Sequence, residues 1–298
     1  MTTTTTTLEP PILTPYLLMA VASAVLMATI GIVSRVTGLA AETVTFYRLF
    51  LGALLMLGWL QASGRLYLLR QRPSVKLALN GALLAGFILC YVQAMNYTTM
   101  ANAIMMIYLA PVVAAVGAHL WLNERLTWQS STLIALALLG FAMMMEFSVS
   151  LGGGSHATTG LLFGAASTLC YAAFMLVNRT LPASTDGYSK TFYQLLFGAL
   201  VMLPFVLRAG ESVAIEQWGW LLAAGLFPGF LGILFAVSAL QQLPAATFGT
   251  LAYLEPIAVV TFGWVLFGET LNLLQLAGCA TIIASGVLQG LHARRRSY

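Results

Sequence analysis

The sequence predicts an all-α integral membrane protein: ten transmembrane helices arranged as a five-plus-five inverted-topology repeat, with both termini cytoplasmic. Three observations carry this. The first is composition. Of 298 residues 60% are hydrophobic and 7% charged, with 13 Lys+Arg against 9 Asp+Glu, and the mean hydropathy is +0.90. A soluble chain of this length would carry roughly 75 charges at the usual one-quarter share. Too little polar surface remains to coat a soluble globule, which excludes a sizeable soluble domain, a disordered chain and, despite a pI of about 9.1, a nucleic-acid-binding protein. The second is segment length. A helix needs ~20 apolar residues to cross ~30 Å of hydrocarbon, and ten such stretches begin near Pro15, Thr43, Val75, Ala101, Gln129, Gly160, Thr191, Gln217, Ala246 and Asn272. Their uniform apolarity is unlike the ~10-residue alternating strands of a membrane barrel. The third is charge placement. Arg65, Arg70, Arg72, Lys76, Arg125, Arg179, Lys190 and Arg294 to Arg296 share the side of the termini, Arg35 and Arg208 take the other, and Arg48 lies within the second span. The positive-inside rule then puts both termini in the cytoplasm, which requires an even number of spans.

The predicted organisation is a disordered N-terminal tail (1–13), a first five-helix repeat (14–147), a periplasmic linker (148–159), a second repeat (160–291) and a basic cytoplasmic tail (292–298). The repeat is legible in the residues. Phe46-Tyr47-Arg48-Leu49-Phe50-Leu51-Gly52-Ala53-Leu54 returns 146 positions on as Phe192-Tyr193-Gln194-Leu195-Leu196-Phe197-Gly198-Ala199-Leu200, identical at six of nine positions. Tyr108-Leu109-Ala110-Pro111 returns as Tyr253-Leu254-Glu255-Pro256, and Val33-Ser34-Arg35 as Val177-Asn178-Arg179. A five-helix unit crosses the membrane an odd number of times, so its second copy runs with opposite polarity, giving one scaffold two near-equivalent packings, one open to each side.

That plan, together with the recurring joint Leu122-Asn123-Glu124-Arg125-Leu126-Thr127 and Phe267-Gly268-Glu269-Thr270-Leu271-Asn272, resembles the drug/metabolite transporter superfamily and, within it, the EamA-type exporters that include bacterial amino-acid exporters. The resemblance covers residues 15–291 and is specific for the superfamily rather than for a substrate. It implies a multi-pass protein of the bacterial inner membrane. A central cavity, lined mainly by the first, third, fourth, sixth, eighth and ninth spans, would export amino acids, aromatic and other neutral ones favoured, or related metabolites by alternating access. Export of cationic drugs or other metabolites is the alternative, and a small-solute channel the second. The expected partners are the bilayer and the small-molecule solute, with no nucleic acid; the chain is read as a monomer, with a dimer left open.

Several residues are candidates for transport. Glu255 lies about nine residues into its span, ~14 Å deep, where an ionisable group costs ~2.5–3.5 kcal/mol unless it faces protein or water. It could bind a substrate amine, carry a proton, or be a protonated structural group. Pro111 and Pro256 occupy matching mid-span positions, so they should kink their helices and free the carbonyls of Ile107 and Ala252 for gating or substrate contact. Tyr91, Tyr108, Tyr171 and Tyr253 are too deep for an interfacial aromatic belt, so their hydroxyls need a wet cavity or a backbone partner. Asn102 is a further cavity candidate. On a regular helix Tyr253 and Glu255 point ~200° apart, so only one faces the cavity squarely. Arg48 either snorkels to the outer interface or recognises a carboxylate. Glu124 and Glu269 read as structural, beside helix N-termini, with Thr127 and the Asn272/Gln275 pair as caps. Gly160/Gly164, Gly225/Gly229 and Gly286/Gly290 have the spacing for close helix contact. No catalytic motif, metal-ligand cluster or cofactor signature is present, and Cys90, Cys170 and Cys279 read as small core residues, so the chain is not read as an enzyme.

Overall fold

Apolar segments that must satisfy their backbone internally become helices, and the described residues of this computed structural model, 14–70, 73–148, 157–182 and 184–295, contain no strand. The expected tail at 1–13, most of the expected linker and the end of the basic tail lie outside them. The helices are α1 (Thr14–Thr37), α2 (Ala41–Ala62), α3 (Val75–Tyr97), α4 (Met100–Ile107), α5 (Ala110–Trp121), α6 (Trp128–Met144), α7 (Ala157–Thr180), α8 (Gly187–Ala209), α9 (Trp218–Ala224), α10 (Gly232–Gln242), α11 (Ala245–Ala252), α12 (Leu254–Phe267) and α13 (Leu273–Arg295). Nine helical stretches among the described residues are long and apolar enough to cross a membrane; Trp128–Met144 is a shorter apolar helix. At 17 residues it is still at the lower end of the ~17–25 that can span. Three spans are interrupted: α4 and α5 make the fourth, a π segment (Gly225–Leu231) joins α9 to α10 in the eighth, and α11 and α12 make the ninth.

The breaks in the fourth and ninth spans are sharper than the expected kinks. Each helix stops at a tyrosine, and the proline falls in the first turn of the next helix, where its missing N–H has no intrahelical duty. Pro228 sits inside the π segment, whose wider turn accommodates the ring.

α3 packs along α7 and α8, α1 along α10 and α12, α2 along α8 and the π segment, α5 along α7 and α11, and α6 along α13. Glycines set the closest approaches. A Cβ on Gly229 would stand 2.5 Å from the Arg48 carbonyl oxygen, and one on Gly278 2.5 Å from that of Gly140. Of the predicted close-contact pairs, Gly160/Gly164 and Gly225/Gly229 are crowded, whereas Gly286 and Gly290 meet only ordinary contacts at 3.6 and 3.9 Å. The core is rich in small residues, with Ala85, Ala110, Ala114, Ala137 and Ala239 fully enclosed, as interhelical packing in lipid favours. Large apolar side chains such as Leu18, Leu54, Trp264 and Leu274 point outward, where only lipid suits them.

The joints after α5 and α12 turn alike. Asn123 (φ 54°) and Gly268 (φ 68°) adopt the left-handed conformation. The next amide reaches back six residues, Glu124 N–H to Ala118 carbonyl and Glu269 N–H to Gly263 carbonyl, each 3.2 Å. Each helix is thus closed by a left-handed residue and one backbone bond a residue wider than the Schellman motif's. Thr127 caps α6 by accepting the Ser130 N–H at 3.3 Å, and Asn272 with Gln275 forms the expected reciprocal box before α13.

Candidate functional site

The site assembles at the helix breaks. Tyr108 ends α4 and Tyr253 ends α11, and the Tyr253 hydroxyl donates to the Tyr108 carbonyl at 2.5 Å, so the two interrupted spans meet there. The Tyr108 ring packs against Phe141 at 4.2 Å and faces Tyr253 at 5.7 Å between centroids. A second loosened carbonyl, Met106, accepts from the Thr168 hydroxyl of α7 at 2.6 Å. The break's polar groups are thus resatisfied by neighbouring helices.

Glu255, in the first turn of α12, lies within electrostatic reach of Arg48 on α2 and of the hydroxyls of Tyr91 on α3, Tyr108 and Tyr171 on α7. Tyr171 stacks on Phe87 of α3 at 4.9 Å, fixing that wall. One cation, one carboxylate and three phenols from five helices therefore converge. Arg48 is carried there because the face of α2 bearing Thr45, Arg48, Leu49, Gly52 and Met56 is buried, and the Gly229 contact lets the π segment approach its backbone. It is 7% exposed, and its Nε has no hydrogen-bond partner. The snorkelling expectation for Arg48 is therefore corrected: its helix face turns inward, away from the interface.

Tyr253 is fully enclosed and its hydroxyl is committed to Tyr108, so it packs between the broken spans rather than lining a cavity; this corrects its expected role. Glu255, two residues on and across the helix break, is instead within electrostatic reach of Arg48. Asn102 stands apart as well: in the first turn of α4 its side-chain amide donates to Thr98 at 2.9 Å. Pro111 is buried and touches Gly249 across the fourth–ninth span contact. Pro256 is buried beside Glu255.

Two ion pairs were not foreseen, although their members recur at equivalent places in the two halves. Arg179, ending α7, binds Glu124; its Nε donates to Oε1 at 2.7 Å, and one of its amino nitrogens donates to the Leu240 and Gln241 carbonyls at 3.0 Å each. Glu124 also accepts the Ala245 N–H at 2.9 Å, so it serves the N-terminus of α11 rather than that of α6. Arg35, ending α1, pairs with Glu269 and lies over the Phe267 ring at 4.1 Å. No group of three or more metal-binding side chains is found among the described residues.

The model of the EamA-like transporter family matches this chain twice, over residues 14–146 and 158–289. The chain belongs to that family. Its members are transporters, and the EamA type falls within the drug/metabolite transporter superfamily. Similar proteins include an uncharacterized transporter of Archaeoglobus fulgidus, 30% identical over 90% of this chain and 93% of that one. The pseudopaline exporter CntI of Pseudomonas aeruginosa is 27% identical over 83% and 85%. The threonine/homoserine exporter RhtA of Escherichia coli is 26% identical over 96% and 95%. A protein of known crystal structure shares the fold with a TM-score of 0.81, covering 94% of this chain and 99% of that one at 20% identity. This family member is accordingly a multi-pass membrane protein whose relatives include exporters of small solutes.

Proposed function

We propose that the chain is a secondary transporter exporting amino acids, or related metabolites bearing both an amine and a carboxylate, across a bacterial inner membrane by alternating access. The observation that carries the reading is the convergence of Arg48 and Glu255 at the break of the ninth span. An α-amino acid presents both charges within a few ångströms, so its carboxylate complements the guanidinium and its amine the glutamate. Phe87 and Tyr171 offer an apolar, aromatic wall for the side chain. The names of RhtA and CntI, exporters of amino acids and of pseudopaline, support a solute of this class.

Alternating access rests on the proposed inversion of residues 14–147 relative to 160–291. Two features support it. Exchanging each span for its counterpart maps the packing onto itself: α3 on α7 corresponds to α1 on α10, α5 on α7 to α1 on α12, and α2 on α8 and α6 on α13 to themselves. The two Arg–Glu pairs correspond likewise, and an inversion carries them to opposite membrane faces. With the termini cytoplasmic, Arg179–Glu124 closes the cytoplasmic end. Its side chains are 19% and 18% exposed, against 52% and 50% for Arg35–Glu269. The rocking of two helix groups about the Tyr108–Tyr253 crossing would then open one end as the other closes.

Counterflow in proteoliposomes tests the reading with labelled threonine, phenylalanine, a nucleoside and a quaternary amine. Amino acids should exchange and saturate, and Arg48→Gln should raise KM for amino acids while sparing any amine lacking a carboxylate. If amino acids neither exchange nor compete, the substrate assignment fails. Unitary ion currents would replace the carrier with a channel. Glu255→Gln separates the drive: unchanged exchange with unchanged pH dependence removes a proton-carrying role.

A further inference from the structure

At the end of the bundle where α7 finishes and α3 and α8 begin, a cavity of about 70 Å³ is lined by, among others, Ser74, Leu77, Thr185, Ser189, Lys190 and Tyr193. One water needs roughly 10–15 Å³ of such space, so a carboxylate- or phosphate-sized group fits. Lys190 is fully buried, and its Nζ has no hydrogen-bond partner. A buried ammonium without an acceptor is among the costliest arrangements a protein can hold. The charge of Asp186, one turn back on α8, reaches it without a hydrogen bond. Ser189 and Tyr193 spend their hydrogens on the Leu68 and Leu69 carbonyls, at 2.6 and 2.8 Å, which pins the 3₁₀ turn (Leu66–Leu69) as one wall. The Asp186 carboxylate, one turn before Lys190, caps α8 by accepting the Tyr188 N–H at 2.8 Å, and no Asp or Glu is among the described residues that line the cavity. Ser74 accepts the Leu77 N–H at 3.3 Å and keeps its own proton for donation.

Deeper in, the polar groups continue. Gln194 follows Lys190 by one turn of α8 and donates to Asn178, while its Oε1 and both side-chain polar atoms of Asn80 are buried without partners. Asn178 shares a face of α7 with Tyr171, and Asn80 shares a face of α3 with Phe87 and Tyr91; two turns span ~10 Å. These amides extend the polar lining toward the centre of the bundle, where buried Leu84 and Phe174 stand between them and Tyr91 and Tyr171.

We propose that the Lys190 cavity is a second, oxyanion-binding site, taking a carboxylate or phosphate group. Its role as the cytoplasmic entry to the central site rests on the transport reading; the binding itself does not. Lys190 supplies the charge, and Ser74 and Thr185 the hydroxyl donors. The oxyanion is either that of a soluble solute or that of an anionic lipid headgroup.

The test is thermal unfolding of the full chain in neutral detergent at constant ionic strength, titrating inorganic phosphate, the amine-free carboxylate acetate, and short-chain phosphatidylglycerol against phosphatidylcholine, with chloride as reference. At least one oxyanion should raise the melting midpoint of the wild type. Lys190→Met should remove that rise, and Thr185→Val, which keeps the charge, should weaken the apparent affinity several-fold. A rise with phosphate or acetate identifies a soluble ligand, and one with phosphatidylglycerol alone a lipid. Absence of any oxyanion-specific rise, or an equal rise in Lys190→Met, overturns the site. If Lys190→Met does not fold, an undiminished affinity in Thr185→Val overturns it. Failure here leaves the counterflow results untouched, and failed counterflow leaves this binding measurable.

Discussion

Breaking the Arg179–Glu124 pair should shift the bundle toward the state open at that end far more than breaking its counterpart shifts it toward the other. Losing one partner of a fully buried pair costs ~3–5 kcal/mol, and an exposed pair contributes only ~0.2–1 kcal/mol. With side chains about four-fifths covered and Glu124 also holding the Ala245 N–H, the first pair lies between these limits, near 2 kcal/mol. Arg35–Glu269, half exposed, belongs at the bottom of the range, below about 0.5 kcal/mol. If the pair forms only in the closed arrangement, 2 kcal/mol is about a 30-fold change in the open population. A cysteine at Ala246, buried just behind the pair, reports this in a background lacking the native cysteines. An impermeant maleimide added from the Arg179 side should label it about 30-fold faster in Glu124→Ala, and less than about 2-fold faster in Glu269→Ala. Equal acceleration by both substitutions, or none by Glu124→Ala, would refute the assignment of the buried pair as the closing contact.

Three further outcomes follow from packing. Gly229→Ala and Gly278→Ala each put a methyl 2.5 Å from a backbone carbonyl oxygen, so each should cost ~1–3 kcal/mol and lower the melting temperature in detergent, whereas Gly290→Ala should be neutral or slightly stabilising. Tyr253→Phe removes the donor to the Tyr108 carbonyl and should destabilise by ~1–2 kcal/mol, measured in the same melts. Cys170 Sγ of α7 stands 3.7 Å from where a Cβ on Gly86 would be, one turn before Cys90 on α3, so mild oxidation should link the two cysteines, a product identifiable by peptide mass after digestion.

The helical segments were legible because lipid leaves the backbone few solutions and because hydropathy is a sum over ~20 residues, insensitive to any single one. The interruptions were not. A proline in a span predicts a kink, but whether it sits mid-turn or in the first turn of a new helix depends on where the preceding helix ends. At Tyr108 and Tyr253 that end is stabilised by partners distant in sequence: the Tyr253 hydroxyl for one carbonyl, the Thr168 hydroxyl for another. The close contact of Gly140 with Gly278 escaped for a related reason, since the two glycines sit on different helices and form no spaced pair within either.

For the candidate site, residue type carried the selection and tertiary direction decided the outcome. Arg48 and Glu255 were conspicuous as ionisable groups within spans, yet only the inward turn of the buried α2 face makes them neighbours and withdraws Arg48 from the interface. On a regular helix Tyr253 and Glu255 could not both face one cavity, and the helix break between them leaves Tyr253 enclosed and bonded to Tyr108 while Glu255 lies within electrostatic reach of the guanidinium. The ion pairs show how the repeat could have been pressed further. If residues 35 and 179 correspond, and 124 and 269 do, then the contact of Arg179 in the second half with Glu124 in the first implies its image between Arg35 in the first and Glu269 in the second, with different exposure wherever the two ends are not equally closed. The two corresponding pairs are thus alike in residue type but unequal in burial. The inequality extends to the bonds of Arg179 with the Leu240 and Gln241 carbonyls, for which Arg35 has no counterpart among the hydrogen bonds of the described residues; under the proposed alternating access, such contacts would carry the energetic difference between the two arrangements.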